Sequence, residues 1–141
     1  MIRFKGSQSL QVLVKKIASC DEALERVADE MAEESTNLIS EGWRDQADPY
    51  GKAWKARARE TKRSRGKQIL VDSGDMKNTW HKKDVSRRGF TIFSGVNYSS
   101  YHQDGRGVAK RMVVPSKRGI PGSWDDEFRA IVWDAYIDFF R

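Results

Sequence analysis

Several residue types are scarce in this chain, and each scarcity argues against a class of protein. Cys20 is the only cysteine, so the chain can form no internal disulfide and has no CxxC pair to ligate a metal. No stretch approaches the roughly 18 consecutive apolar residues of a membrane span. The opening residues, MIRFKGSQS, contain no apolar segment of signal-peptide length. We therefore expect a soluble protein, made in the cytosol, that does no redox chemistry.

Histidine is almost as scarce, and one histidine lies in a segment that resembles an active site. The residues at 98–105 are YSSYHQDG, in which His102 could act as a base beside Ser99 or Ser100, with Asp104 to orient it. Catalytic triads are assembled from distant segments, because neighbours in sequence seldom place the three groups in line. The alternative is a hydrogen-bonded turn, and we favour it.

Metal and phosphate motifs are also missing. His81 is the only other histidine, and neither an HExxH nor a DxDxDG spacing is present. Asp72 and Asp75 lie in VDSGDM, where their side chains suit a turn. The two Gly-Lys pairs, at 51–52 and 66–67, lack the other residues of a Walker loop. We expect no catalytic, cofactor-binding or metal-binding residues.

Charge is abundant but unevenly distributed. The net charge of +6 divides into +4 over residues 1–18, −7 over 19–45, +12 over 46–118 and −3 over 119–141. Such segregation indicates that the acidic and basic parts fold onto each other or meet a neighbouring copy, and a basic segment also suits nucleic acid.

The positive charge is densest in a segment that lacks hydrophobic periodicity. Residues 44–68 predict a long loop, and loops of this length usually bind a partner or are disordered. We expect this loop to be flexible in a free subunit and to contact a neighbour's acidic helix or DNA. Residues 52–67 of this loop contain Glu60 as their only acid. The predicted interaction residues are Lys52, Lys55, Arg57, Arg59, Lys62, Arg63, Arg65 and Lys67.

Hydrophobic periodicity predicts an α+β fold in one domain over residues 1–141. A strand is predicted at 2–4, a short helix at 10–17, and a long acidic helix capped by Ser19 and ending near Gly42. Strands are predicted at 69–71, 76–83, 88–96 and 108–114, with a hairpin turn at 86–89. A helix capped by Ser123 ends the chain. The two long helices would pack on a small antiparallel sheet, with the basic loop between elements.

The last helix has a wider apolar arc than one core contact needs. One face carries Phe128, Ile131 and Val132, and a second carries further aromatic and aliphatic residues. The surplus predicts contact with a partner copy. The predicted interface residues are Phe128, Trp133, Tyr136, Ile137 and Phe140.

Four short motifs occur in an order typical of one family. They are DPYGKAW at 48–54, a basic stretch around Thr61, KQILVDSGDMKNTW at 67–80 and GVNYSSYHQDG at 95–105. Together they resemble the phage virion-morphogenesis or tail-completion family of Mu-type G-like neck proteins. The resemblance covers about residues 40–115, and the acidic helix before it matches the long N-terminal helix of that family.

The resemblance implies a structural role in the phage particle. It implies a ring-forming neck protein without catalysis, which completes the tail and joins it to the DNA-filled head. Its partners would be its own copies, other neck and tail proteins, and DNA that passes through the channel without sequence-specific contacts.

The resemblance also implies that YSSYHQDG is an architectural turn, in which Tyr98 packs while His102 and Gln103 bond to backbone. The residues assigned to structural turns are Asp72, Gly74, Tyr98, His102, Gln103 and Gly105. The alternative for the whole chain, favoured by its basic middle, is a DNA-binding or nuclease-accessory protein.

Overall fold

The structure, a computed structural model, describes residues 7–141, with side chains described at residues 11, 12 and 14–141. Its elements are α1 (Ser7–Asp45), α2 (Asp75–Asn78), β1 (Trp80–Ser86), β2 (Gly89–Ser94), α3 (Ser99–Asp104) and α4 (Gly122–Phe140). This order confirms the α+β class. The strand predicted at 2–4 lies outside the described residues.

The short helix and the long helix predicted near the N-terminus are one helix, α1, of 39 residues. Ser19 is not an N-cap, since its hydroxyl donates back to the carbonyl of Lys16 at 2.8 Å. Residues 7–41 contain neither glycine nor proline, so nothing interrupts the helical hydrogen bonds. Gly42 also lies inside the helix, which continues to Asp45.

The C-terminal end of α1 is fastened to the loop that follows. Gln46 has a left-handed backbone, with φ of 53°, which ends the helix. Its side-chain amide donates to the carbonyl of Trp43 at 2.6 Å, and its side-chain oxygen accepts from the amide of Ile69 at 2.7 Å. One side chain therefore joins the helix end to the start of the ILV segment.

The described sheet is the antiparallel hairpin β1–β2, in which Trp80 pairs with Ser94 and Lys82 with Ile92. The predicted hairpin turn at 86–89 is confirmed. The strand predicted from residue 76 begins instead at Trp80, after the single turn α2.

The strands predicted at 69–71 and 108–114 are wrong. Leu70 has a φ of 61°, which an extended strand does not allow. At the second segment, a side chain takes the place of a neighbouring strand. Gln103 accepts from the amide of Val113 at 2.9 Å and donates to the carbonyl of Val114 at 2.7 Å.

The core is built around Trp43 of α1, which is fully buried. Its ring packs nearly perpendicular to that of Trp54 at a centroid distance of 5.4 Å, and its centroid lies 6.4 Å from that of Trp80. The other buried members of the core are Ile39, Met76, Val113, Trp124 and Phe128. Loop, hairpin and both long helices thus share one set of contacts.

Helix α4 runs antiparallel to α1. Trp124 and Phe128, at its start, join the core beside the end of α1, while the Lys16 ammonium lies 5.4 Å from the ring centroid of Phe140 near the other end. Ser123 does not cap this helix, which begins at Gly122 after Pro121 with no side-chain cap.

Candidate functional site

The basic loop is folded around one of its own arginines. The Arg57 guanidinium donates to the main-chain carbonyls of Ser64, Lys67, Gln68 and Val71. A guanidinium has five donors in a fixed plane, so it can hold several carbonyls of a curled backbone at once. Arg57, assigned to an interaction surface, therefore acts inside the described loop as its internal support.

Asp72 supplies the loop with a carboxylate that lies outside it. Arg63 donates to this carboxylate through Nε at 2.9 Å, and Lys67 donates through Nζ at 3.2 Å. Although desolvation acts to raise it, the hydrogen bonds from Lys67 and Arg63 lower the pKa of Asp72. Two of the predicted interaction residues thus have a partner within the chain.

The other five predicted residues of the loop are exposed. Their side chains make no hydrogen bond or ion pair within the part of the chain that the structure describes, and they are Lys52, Lys55, Arg59, Lys62 and Arg65. They are the residues of the loop that remain available to a partner.

Three of the four sequence motifs converge on one cavity of about 530 Å³. We call it the motif cavity. It lies between the basic loop, the Asp72–Gly74 turn and α3, and its lining includes Arg57, Thr61, Asp72, Tyr98, His102 and Arg111. Residues distant in sequence are therefore neighbours here.

The YSSYHQDG segment forms α3 and its C-terminal cap. Gly105 adopts a left-handed conformation, with φ of 76°, and its amide donates to the carbonyl of Tyr101 at 2.8 Å. Gln103 bonds to the main chain of residues 113 and 114. Tyr98 lines the motif cavity with about half of its surface exposed.

His102 differs from its expected role. Its Nδ1 atom is buried and has no hydrogen-bond partner in the described part of the chain, so the expected side-chain bond to backbone is not formed there. The hydrogen bond that His102 makes to this part of the backbone uses its main-chain carbonyl, which accepts from the amide of Arg111 at 2.9 Å. Burial, and then the charge of Arg111, lower the pKa of His102.

The segment does not form a catalytic relay in this conformation. Ser99 donates to the carbonyl of Val96 at 3.0 Å, and Asp104 pairs with Arg106 at 2.9 Å. Neither residue is hydrogen-bonded to His102. Among the described residues, no group of three or more histidine, cysteine or carboxylate side chains could hold a metal ion.

Arg111 is a functional candidate that the sequence analysis missed. It is 8% exposed, and it donates to the carbonyl of Lys55 at 2.7 Å and to that of Ala56 at 3.2 Å. Burial, and then the charge of Arg57, lower the pKa of Arg111. The sequence did contain one signal, because Arg111 directly precedes the apolar run MVV. An arginine that is buried with such a run needs hydrogen-bond partners.

The predicted interface residues of α4 lie in two environments. Phe128 is 7% exposed and belongs to the core, whereas Trp133, Tyr136 and Phe140 are 61%, 54% and 60% exposed. Ile137 is half-buried. We call Val132, Trp133, Tyr136 and Phe140 the aromatic face.

Successive rings of the aromatic face contact each other. Trp133 and Tyr136 stack at a centroid distance of 5.6 Å, and Tyr136 lies 4.8 Å from Phe140. Beside them, a groove of about 620 Å³ runs between α1 and α4 and is also lined by Met31 and Ile120. The face and the groove form one apolar surface.

The acidic surface of α1 meets the hairpin. Lys82 of β1 pairs with Asp29 at 2.6 Å and with Glu33 at 3.1 Å, and Arg87 pairs with Asp21 at 2.8 Å. The opposite charges found in the sequence therefore fold onto each other, in part, within one chain.

Comparison with known proteins gives one match. The chain belongs to the phage virion morphogenesis family, whose profile matches residues 6–123. It is thus a structural or assembly protein of a bacteriophage particle. The match ends within the first turn of α4, so the aromatic face lies beyond it.

No curated protein and no solved structure matches the chain significantly. No helix among residues 7–141 is long and apolar enough to cross a membrane.

Proposed function

We propose that the protein is a structural component of the phage neck, which assembles into a ring, completes the tail and joins it to the head without catalysis. The family membership supports an assembly role. The observation that carries the ring proposal is the aromatic face, where three contiguous large rings are more than half exposed. Contiguous exposed aromatic surface marks protein interfaces, and tryptophan and tyrosine are enriched among the residues that contribute most to binding.

A ring of identical subunits needs two different surfaces that fit each other, because a head-to-tail contact repeats around the axis. The N-terminal half of α1 offers a second apolar surface, since Val12, Val14, Ile17 and Leu24 are exposed along it. We propose that the aromatic face of one subunit packs on this part of α1 in the next. Other neck and tail proteins would bind the two open faces of the ring.

The test is the assembly state of Trp133→Ser. We expect this variant to need at least tenfold more protein than wild type to assemble, as measured by sedimentation velocity and electron microscopy of the particles. Its circular dichroism should match that of wild type, because Trp133 contributes little to the core. The control is Tyr101→Ser, which removes an aromatic ring that is 49% exposed on α3, away from the aromatic face.

The ring proposal would be wrong if wild-type protein stayed monomeric at every concentration and also failed to complete tails in an assembly extract. If wild type and Trp133→Ser assembled equally well, the ring proposal would stand, but its interface would lie outside the aromatic face.

A second candidate function is sequence-independent DNA binding, which is favoured by the five exposed basic residues of the loop that have no described partner. Such binding would weaken with salt, with a log–log slope of about −0.9 per phosphate neutralised on duplex DNA. The test is the triple variant Arg59→Gln/Lys62→Gln/Arg65→Gln. DNA binding predicts a flatter slope for this variant, whereas an assembly role predicts lost incorporation into particles with little change in DNA affinity.

A further inference from the structure

The motif cavity has a net positive lining, since Arg57, Arg63 and Arg111 face Asp72 and Asp75 across it. Arg57 and Arg111 both line it, and both donate to main-chain carbonyls. In the part of the chain that the structure describes, neither guanidinium lies within ion-pair distance of a carboxylate. A carbonyl satisfies a donor but carries no net charge, so the electrostatic cost of holding two cations at a recessed site remains.

The same cavity also has unused hydrogen-bond donors. Arg111 has five N–H groups, of which its Nε and one on Nη2 bond to carbonyls. His102 also lines the cavity, and its Nδ1 is buried without a described partner. Buried polar atoms are nearly always satisfied in folded proteins, so an orphaned one calls for an explanation. Donors and uncompensated positive charge at one cavity are the requirements of an anion site.

The wall of the cavity is conformationally strained. Leu70 lines it with a φ of 61°, a left-handed conformation that bulky residues rarely adopt. Strain of this kind persists where the surroundings hold it, and it concentrates at ligand sites.

We propose that the motif cavity is an anion-binding site that takes a carboxylate from a partner protein, held by the free Nη donors of Arg111 beside His102 and favoured by the positive charge of Arg57. A carboxylate suits the planar donor fork of arginine, and a charge-assisted pair of this kind is roughly twice as strong as a neutral hydrogen bond. The inference rests on the cavity alone and does not depend on the ring.

The shape of the cavity favours a carboxylate over a DNA phosphate. Arg111 is 8% exposed, so its donors are recessed. An aspartate or glutamate on a loop can reach into such a site, whereas the phosphates of a duplex lie on a broad convex surface.

The test is nuclear magnetic resonance of the full chain during titration with sodium acetate, at ionic strength held constant with chloride. We expect saturable shifts of the Arg111 Nε–H and His102 ring signals. The signals of Arg59 and His81, which are exposed outside the cavity, should not move. Arg111→Lys keeps a charge but loses the fork, so it should weaken acetate binding at least tenfold, while the matched control Arg65→Lys should leave it unchanged.

Inorganic phosphate and a short DNA duplex are the other arms of the experiment. Displacement of acetate by duplex DNA would overturn the carboxylate assignment in favour of a DNA phosphate. The absence of a saturable shift with either small anion would overturn the site itself. Should Arg111→Lys fail to fold, His102→Phe removes both ring nitrogens and should weaken acetate binding in its place. Trp133→Ser should bind acetate like wild type, which separates failure of this inference from failure of the ring.

Discussion

Two glycines after α3 share a left-handed backbone but differ in their surroundings. Gly105 has a φ of 76° and Gly107 a φ of 69°. A Cβ added at Gly105 would lie 2.9 Å from the Cβ of Lys110, whereas one added at Gly107 would have no atom within 4 Å. Only Gly105, which the sequence motif singled out, therefore needs glycine for space as well as for conformation.

This pair gives a controlled prediction. Gly107→Ala should lower the free energy of unfolding by about 1–2 kcal/mol, the usual cost of a left-handed conformation for a residue with a side chain. Gly105→Ala should cost more, because the main chain near Lys110 must also move. Urea denaturation of both variants measures the difference. If both variants lost the same free energy of unfolding, the segment near Lys110 would be able to move away from the added methyl group without an energetic cost.

The pH dependence of stability should report on His102. Its pKa is lowered by burial and by the charge of Arg111, so the folded state prefers the neutral imidazole. Below the unfolded-state value of about 6.5, the unfolded chain takes up a proton that the folded chain resists, and stability falls. Above that value both states are neutral and the effect vanishes. The carboxylates Asp72 and Asp75 line the same cavity.

We expect the urea midpoint of wild type to decrease from pH 7.5 to pH 5.5, and His102→Gln to reduce that decrease. His81→Gln changes the exposed histidine and is the matched control. A decrease that both variants retain in full would assign the pH dependence to groups other than His102.

The sequence located some of these residues but not their partners. Asp72, His102 and Gly105 were found because their motifs have recognisable order. Arg57 and Arg111 were not seen as a pair, because both bond to carbonyls, and every residue carries a carbonyl. A guanidinium bound to a carboxylate can be anticipated from opposite charges, whereas one bound to backbone can be identified only from the fold.

At the scale of elements, α4 shows how one helix can serve two purposes. Phe128 is buried in the core and Trp133 is exposed, although they are five residues apart on the same helix. Phe128→Ala should lower the free energy of unfolding of the isolated subunit by about 3–5 kcal/mol. Trp133→Ala should change it by no more than about 0.5 kcal/mol.

Thermal and urea denaturation of the two variants, at concentrations below assembly, would measure both values. A large loss for Trp133→Ala would place that ring in the core of the subunit and remove the main support for the aromatic face as an interface.

The sequence predicted elements well where a period was long or a turn was specific. Helix α4 and the hairpin turn at 86–89 were found for these reasons. The strands at 69–71 and 108–114 were wrong because a short apolar run shows that a segment is buried and does not fix its backbone. Leu70 has a left-handed backbone, and the amide of Val113 donates to the side chain of Gln103, so neither segment pairs with a strand.

At the scale of the whole molecule, some of the unevenly distributed charges form ion pairs within the chain and others do not. Part of the acid on α1 is met by Lys82 and Arg87 of the hairpin. The positive charge at Arg57 and Arg111 has no such partner among the described residues. Composition revealed the imbalance but could not say which charges would pair, because pairing depends on how α1 crosses the hairpin.

The length of α1 has a consequence for how the subunit would exchange its amide hydrogens with solvent. A helix of 39 residues spans about 58 Å at 1.5 Å per residue. Among its described side chains, the buried ones extend from Ala28 to Trp43, while Val12, Val14 and Ile17 near its start are exposed. The amides of this one continuous helix should therefore show two levels of protection from exchange, lower near its start and higher near its end. Local opening costs least where few contacts are lost. In deuterium-exchange mass spectrometry, peptides before residue 24 should exchange early in the free subunit and slow down when subunits assemble, so the start of α1 would record assembly as it happens.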